Sequence, residues 1–220
     1  MKSFLPPFIY SWTKLFIFKF FPTLPKRIEI KRLKNSNVFE GDNDIFYEEI
    51  ITAKNYLEYG CGQSTYAVSR QLNIKNGYSV DTSNEWLQLC ENSINDPRFS
   101  YIHIDLGNLG GYGKPISYLR RDYFKEYIHA NHKVAEIDLV LIDGRFRVAS
   151  FFSCYLNLNK GAKIIFDDYT DRPFYHIVEE FVGAPEKINS RQALFVIKEI
   201  SNELRAELNK CIDKFEYVFD

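Results

Sequence analysis

Tyr56–Leu72, YLEYGCGQSTYAVSRQL, is the stretch that decides the fold. Tyr56-Leu57-Glu58-Tyr59 supplies the side chains of a buried strand. Gly60 and Gly62 then let the backbone bend tightly, and Ser64 or Thr65 stands where it can cap the helix that follows. A turn of this kind presents free amides at the positive end of a helix. In an open α/β sheet those amides lie at the carboxyl edge of the strands, where a nucleotide-like ligand packs against bare glycine backbone. Asp81, which closes GYSVD, follows about 20 residues later, the separation at which a carboxylate meets a ribose hydroxyl. The same G-x-G would also suit a ligand-free turn. Thr65 replaces the third glycine of the dinucleotide fingerprint, which weakens a nicotinamide or flavin reading.

At 220 residues the chain suits one substantial α/β domain. Apolar residues make up 45% and aromatic residues 16%, which excludes a disordered chain. A net charge of −1 gives no global attraction for nucleic acid, and no such partner is expected. Cys61, Cys90, Cys154 and Cys211 form no C-x-x-C pair and no secreted disulfide framework, so a reducing cytoplasm fits. Cys61 reads as a small residue fitted among the cofactor-lining positions of the turn, near a helix start that could lower its pKa.

Residues 1–40 are set apart as an aromatic and basic segment, with the domain proper over 41–220. Phe8–Phe21, FIYSWTKLFIFKFF, carries Lys14 and Lys19 and is too short to span a bilayer. With Lys26, Arg27, Lys31, Arg32 and Lys34 after it, the segment suits either an anionic membrane surface or packing against protein.

Helices are expected over Ile45–Ala53, Ser64–Leu72, Asn84–Asn92, Tyr118–Ala130, Phe146–Leu156, Pro173–Phe181 and Ser201–Lys214. Strands are expected over Tyr56–Tyr59, Tyr78–Asp81, Phe99–Asp105, Ile137–Ile142, Ala162–Phe166 and Ala193–Lys198. The run IDLVLI, apolar but for Asp138, marks a central parallel strand buried on both faces. The sum is an α/β, Rossmann-like, doubly wound and mostly parallel sheet with helices on both faces. Its strand ends deliver Asp81, Asp105, Asp143-Gly144-Arg145 and Asp167-Asp168 to one edge. His129 and His132 have H-x-x-H spacing without an acidic third ligand, and no metal is assigned to them.

Glu58 two residues before Gly60, the G-x-G turn and Asp81 at the end of the next strand together resemble motif I of the class I S-adenosylmethionine-dependent methyltransferases. DLVLIDGRFRVASFF, GAKIIFDDYTDRPFY, VDTSNEW and the Y-G-K-P of Ile104–Pro115 further resemble methyltransferases that modify sugar hydroxyls in polysaccharides, of the glucuronoxylan methyltransferase type. The similarity covers Tyr56–Val178. Tyr112 stands where that group carries tryptophan, which points to a different acceptor pocket.

The resemblance implies an S-adenosylmethionine site lined by Glu58, Gly60, Cys61, Gly62, Ser64, Thr65, Asp81 and Asp105, and a glycan or glycan-precursor acceptor. A sugar hydroxyl is a poor nucleophile at neutral pH and needs a base or a metal ion. Asp143, Asp167 and Asp168 converge at adjacent strand ends, suitable for a base or, through Asp143 and Asp168, for a divalent cation. Arg145 would pair with an acidic sugar or phosphate, or with Asp167 or Asp168. The rival readings are a nicotinamide oxidoreductase and a non-catalytic, membrane-associated binding protein of the same fold.

Overall fold

Four consecutive buried apolar residues, Leu139–Ile142, form the centre of the sheet in a computed structural model that describes residues 38–134 and 136–219. The strands are β1 (Asn55–Tyr59), β2 (Asn76–Asp81), β3 (Phe99–His103), β4 (Leu139–Ile142), β5 (Lys163–Phe166), β6 (Lys187–Ile188) and β7 (Ala193–Val196). Among the described residues they make one sheet in the order β3-β2-β1-β4-β5-β7-β6. β1 to β5 run parallel, and β7 and β6 close one edge as an antiparallel hairpin.

Side-chain alternation along β4 divides the core. Val140 and Ile142 face one apolar cluster with Leu57, Phe124, Phe151 and Leu208; Leu139 and Leu141 face a second with Tyr56, Phe46, Ile50 and Val68. The first cluster is roofed by helices α4 (Phe124–Ile128), α5 (Arg147–Asn157) and α7 (Asn202–Phe215). The second is roofed by α1 (Asp44–Ile50) and α2 (Gln63–Ser69). Helix α3 (Asn84–Ile94) follows β2, and α6 (Glu179–Val182) precedes the hairpin.

Several expected boundaries shift for local reasons. Tyr118–Ala130 is not one helix: a 3-10 turn at Arg121–Tyr123 leads into α4, and a second covers Ala130–Lys133. Only Phe124, Tyr127 and Ile128 repeat the apolar i, i+3, i+4 spacing that packs a helix down, and only they sustain one. β4 starts at Leu139, and the Asp138 carboxylate just before it accepts the backbone amides of Lys54 and Asn55 at the foot of β1. β3 ends at His103, two residues short of Asp105. Pro173–Phe181 divides into a 3-10 stretch, Pro173–Val178, and α6.

Phe39 already belongs to the fold, buried with its ring edge-on to Phe46 at 5.2 Å. The membrane-surface expectation for the preceding segment lies outside the described residues.

Candidate active site

The glycine turn is built from beneath. Glu58 and Ser79 are registered neighbours on β1 and β2, and Ser79 Oγ donates to Glu58 Oε1 at 2.6 Å. Tyr56 OH and Ser64 Oγ donate to Oε2 at 3.0 and 2.6 Å, and Thr65 Oγ1 donates to Oε1. Thr65 Oγ1 in turn accepts from Gly62 N at 2.9 Å, so a chain of two hydrogen bonds joins the turn to the buried carboxylate. Neither Ser64 nor Thr65 caps α2 from outside: both lie within the helix, and Gly62 is its N-cap. Glu58, Thr65 and Ser64 shape the turn from within the core, where they are almost wholly buried.

Burial pushes the Glu58 carboxyl from its ordinary 4.5 up to about 7, against the pull of its four hydroxyl donors. The folded protein thus holds this proton more tightly than the unfolded chain. The stabilisation is full below the ordinary value and is lost as pH rises through about 7. Between those limits the wild-type unfolding free energy is expected to fall by roughly 1.4 kcal/mol per pH unit more than that of Glu58→Gln. Urea unfolding across that range checks this, and equal pH slopes for the two proteins would refute it.

Above the turn, the carboxylate ending β2 is tied to it directly. Asp81 Oδ2 accepts from Cys61 N at 3.0 Å and Oδ1 accepts from Ser83 N at 2.8 Å. Burial raises the Asp81 carboxyl, and these amides draw it back down. Trp86 Nε1 donates to Cys61 O at 2.6 Å, and a Cβ added at Gly62 would lie 3.6 Å from that nitrogen. The indole therefore flanks the turn as well as packing with Leu87 and Cys90. Cys61 itself is buried and its thiol is pushed up, against the lowering expected at a helix start. Asp105, beyond the end of β3, is exposed; it pairs with Arg120 at 3.1 Å and accepts from Gly107 N at 2.9 Å.

The turn also touches the loop after β4. A Cβ on Gly60 would lie 3.0 Å from Asp143 O and from the backbone of Gly144. One on Gly144 would lie 2.8 Å from Tyr59 C and 2.0 Å from Tyr127 OH. Only glycine permits this backbone-to-backbone seam. Tyr127 OH accepts from Arg145 N at 3.1 Å and so fixes the loop from the side of α4.

The structure brings Asp143, Asp167 and Asp168 together, with one oxygen from each lying within 4.8 Å of the others. Arginines organise them. Arg147 Nη2 meets Asp143 Oδ1 at 3.0 Å, and Arg147 Nη1 meets Asp168 Oδ2 at 3.2 Å. Arg191 Nη2 lies 2.6 Å from both Asp167 Oδ2 and Asp168 Oδ1, and Arg172 Nη2 lies 2.7 Å from Asp168 Oδ2. Gln192 Nε2 donates to Asp167 Oδ1 at 2.9 Å. Arg191 also donates to the carbonyl of Glu40 at 2.9 Å and sits over the ring of Phe39.

Arg145 is expected from the sequence to pair with an acidic acceptor or with Asp167 or Asp168; the ion pairs described above are made by Arg147, Arg172 and Arg191. Arg147 had a legible signal, since it stands four residues after Asp143 on the helix that follows. Arg191 had none, because the hairpin brings it from 24 residues away.

The side chain of Asp167 is fully buried, that of Asp168 is 16% exposed, and that of Asp143 is 30% exposed. Burial and the neighbouring Asp167 push the Asp143 carboxyl well above the carboxylate range, with Arg147 opposing. A carboxylate of raised basicity that is still reachable from solvent can accept a proton from a bound alcohol. The separation of the three oxygens suits a hard divalent cation. Arg147 already pairs with Asp143 Oδ1 and Asp168 Oδ2, and Arg191 with Asp168 Oδ1, so a cation held by Asp143 and Asp168 would share these oxygens with guanidinium groups or use the other Asp143 oxygen.

No family model matches the chain, and no curated protein matches it. Solved structures do match. A methyltransferase-like protein from Silicibacter pomeroyi is 25% identical, with a TM-score of 0.71 over 82% of this chain and 98% of that one. An O-methyltransferase from Bacillus cereus, solved in complex with SAH, is 16% identical, with a TM-score of 0.50 over 86% of this chain and 100% of that one. The fold is that of the class I S-adenosylmethionine-dependent methyltransferases.

Proposed function

We propose that this protein is an S-adenosylmethionine-dependent O-methyltransferase acting on a hydroxyl of a glycan or glycan precursor. The observation that carries the reading is the seam between the Gly60 turn and the Asp143–Gly144 loop, which sets a nucleoside-type carboxylate and a cluster of acids side by side on one sheet edge. The residues suit the donor: the turn offers bare glycine backbone, Trp86 flanks it with an aromatic surface, and Asp81 stands at the end of the neighbouring strand.

When bound, S-adenosylmethionine supplies an electrophilic methyl group on sulfur. Asp143 would take the proton released by the acceptor hydroxyl as that hydroxyl is methylated. Arg147 holds the base in place, and Arg172 and Arg191 offset the charge of Asp167 and Asp168 beside it. The glycan part of the reading rests on the resemblance of the Y-G-K-P loop; Tyr112, 97% exposed in the place of that group's tryptophan, marks where the acceptor pocket departs from it.

Calorimetric titration with S-adenosylhomocysteine, run beside NAD, tests the donor. Wild type is expected to bind the former and not the latter, and Asp81→Ala to bind it about 10- to 100-fold more weakly, the worth of a hydrogen bond to a charged group. Binding of NAD in preference would overturn the assignment. Transfer of labelled methyl to uronate-bearing and neutral oligosaccharides tests the acceptor, and labelling confined to non-sugar alcohols or phenols would remove the glycan.

A further inference from the structure

Residues 107–116 run between β3 and the 3-10 turn before α4, and their two ends are built into the fold. Leu106 and Pro115 are buried, Leu109 pairs with Pro115 in an antiparallel bridge, and Ile116 N donates to Asn108 O at 3.1 Å. Gly110 N donates to Lys114 O at 2.7 Å and narrows the segment towards its tip, Gly111–Gly113. Tyr112, at that tip, adopts φ 58° and ψ 32°, the left-handed region that a tyrosine seldom occupies.

Among the described residues, the side-chain hydrogen bond that ties this tip to the sheet comes from Thr82, whose Oγ1 donates to Gly113 O at 2.7 Å. Thr82 is buried directly after Asp81, and its carbonyl meets His103 Nε2 at 3.0 Å. The approach is close. A Cβ added at Gly113 would lie 2.5 Å from Thr82 Oγ1 and 3.7 Å from Asp81 Oδ1. The tip thus lies against the carboxylate that the donor reading assigns to the nucleoside.

We propose that Thr82 is a positioning residue that latches residues 107–116 across the Asp81 end of the site, making the segment a strap that retains the bound donor or its product. The inference rests on the donor reading of that site. A strap anchored at both ends opens at its tip, and one buried hydroxyl sets how often it does so. Release of the ligand then waits on that opening.

Stopped-flow measurement of S-adenosylhomocysteine binding and release tests it with two variants. Thr82→Val keeps the shape and removes the donor hydroxyl. Gly113→Ala keeps the hydroxyl and forces the half-exposed tip away from it. Both are expected to release S-adenosylhomocysteine about five-fold faster than wild type, the worth of one hydrogen bond, and to be cut faster by chymotrypsin after Tyr112. Wild-type binding with unaltered release in both variants overturns the strap alone. Tighter binding in either variant also overturns it, since the segment would then be blocking the site. A wild type that binds no S-adenosylhomocysteine overturns the donor reading and the strap with it.

Discussion

Asp143→Asn is expected to lower turnover by about 10²- to 10⁴-fold, the usual contribution of a positioned general base, while S-adenosylhomocysteine binds almost as it does to wild type. Asparagine keeps the size of the side chain and cannot accept the acceptor's proton. Three facts single out Asp143 from its neighbours. Asp167 is fully buried, with both oxygens engaged by Arg191 and Gln192. Asp168 is gripped by three arginines. Asp143 meets Arg147 through Oδ1 and is the most exposed of the three. Single-turnover methyl transfer measured with saturating donor separates this loss from any change in binding. Turnover equal to wild type would take Asp143 out of the chemistry.

Arg147→Met is expected to cost about 3–5 kcal/mol of stability, because it leaves buried carboxylates without their shared counter-ion. The guanidinium is 3% exposed and serves two chain segments at once. It pairs with Asp143 and Asp168, while Nε donates to Gly144 O at 3.0 Å and Nη1 donates to Asp167 O at 2.9 Å. Methionine fills much of the volume and satisfies none of these oxygens. For a domain of this size the melting temperature should drop by roughly 10 °C. Denaturant unfolding checks the figure, and a loss below about 1 kcal/mol, the worth of an exposed ion pair, would show that the cluster does not depend on Arg147. Arg147→Lys should rescue little, since an ammonium group cannot reach four oxygens in one plane.

The sheet was legible because its centre obeys simple rules. A four-residue apolar run rich in β-branched residues is too short for a buried helix and suits a strand covered on both faces, and a strand followed by glycines and a helix turns at the carboxyl edge. The acids at the strand ends followed from that placement. What escaped the sequence depended on contacts that no local pattern encodes. Ser79 serves Glu58 because parallel register sets the two side by side. Arg191 reaches Asp167 only after β7 folds back on β5. The Tyr118–Ala130 stretch carries helix-forming residues throughout, yet it breaks where its apolar face has nothing to cover. Trp86 reads from the sequence as core rather than site, and its packing with Leu87 and Cys90 bears that out, while its indole also donates to Cys61 O in the glycine turn.

The meeting of Gly60 and Gly144 makes the spacing between the glycine turn and the loop after β4 a matter of peptide geometry. Main chain meets main chain there, with no rotamers between them to blur the distance. Under the proposed reading, with the donor on the turn and Asp143 at the acceptor, an in-line transfer that tolerates little error would inherit that fixed gauge.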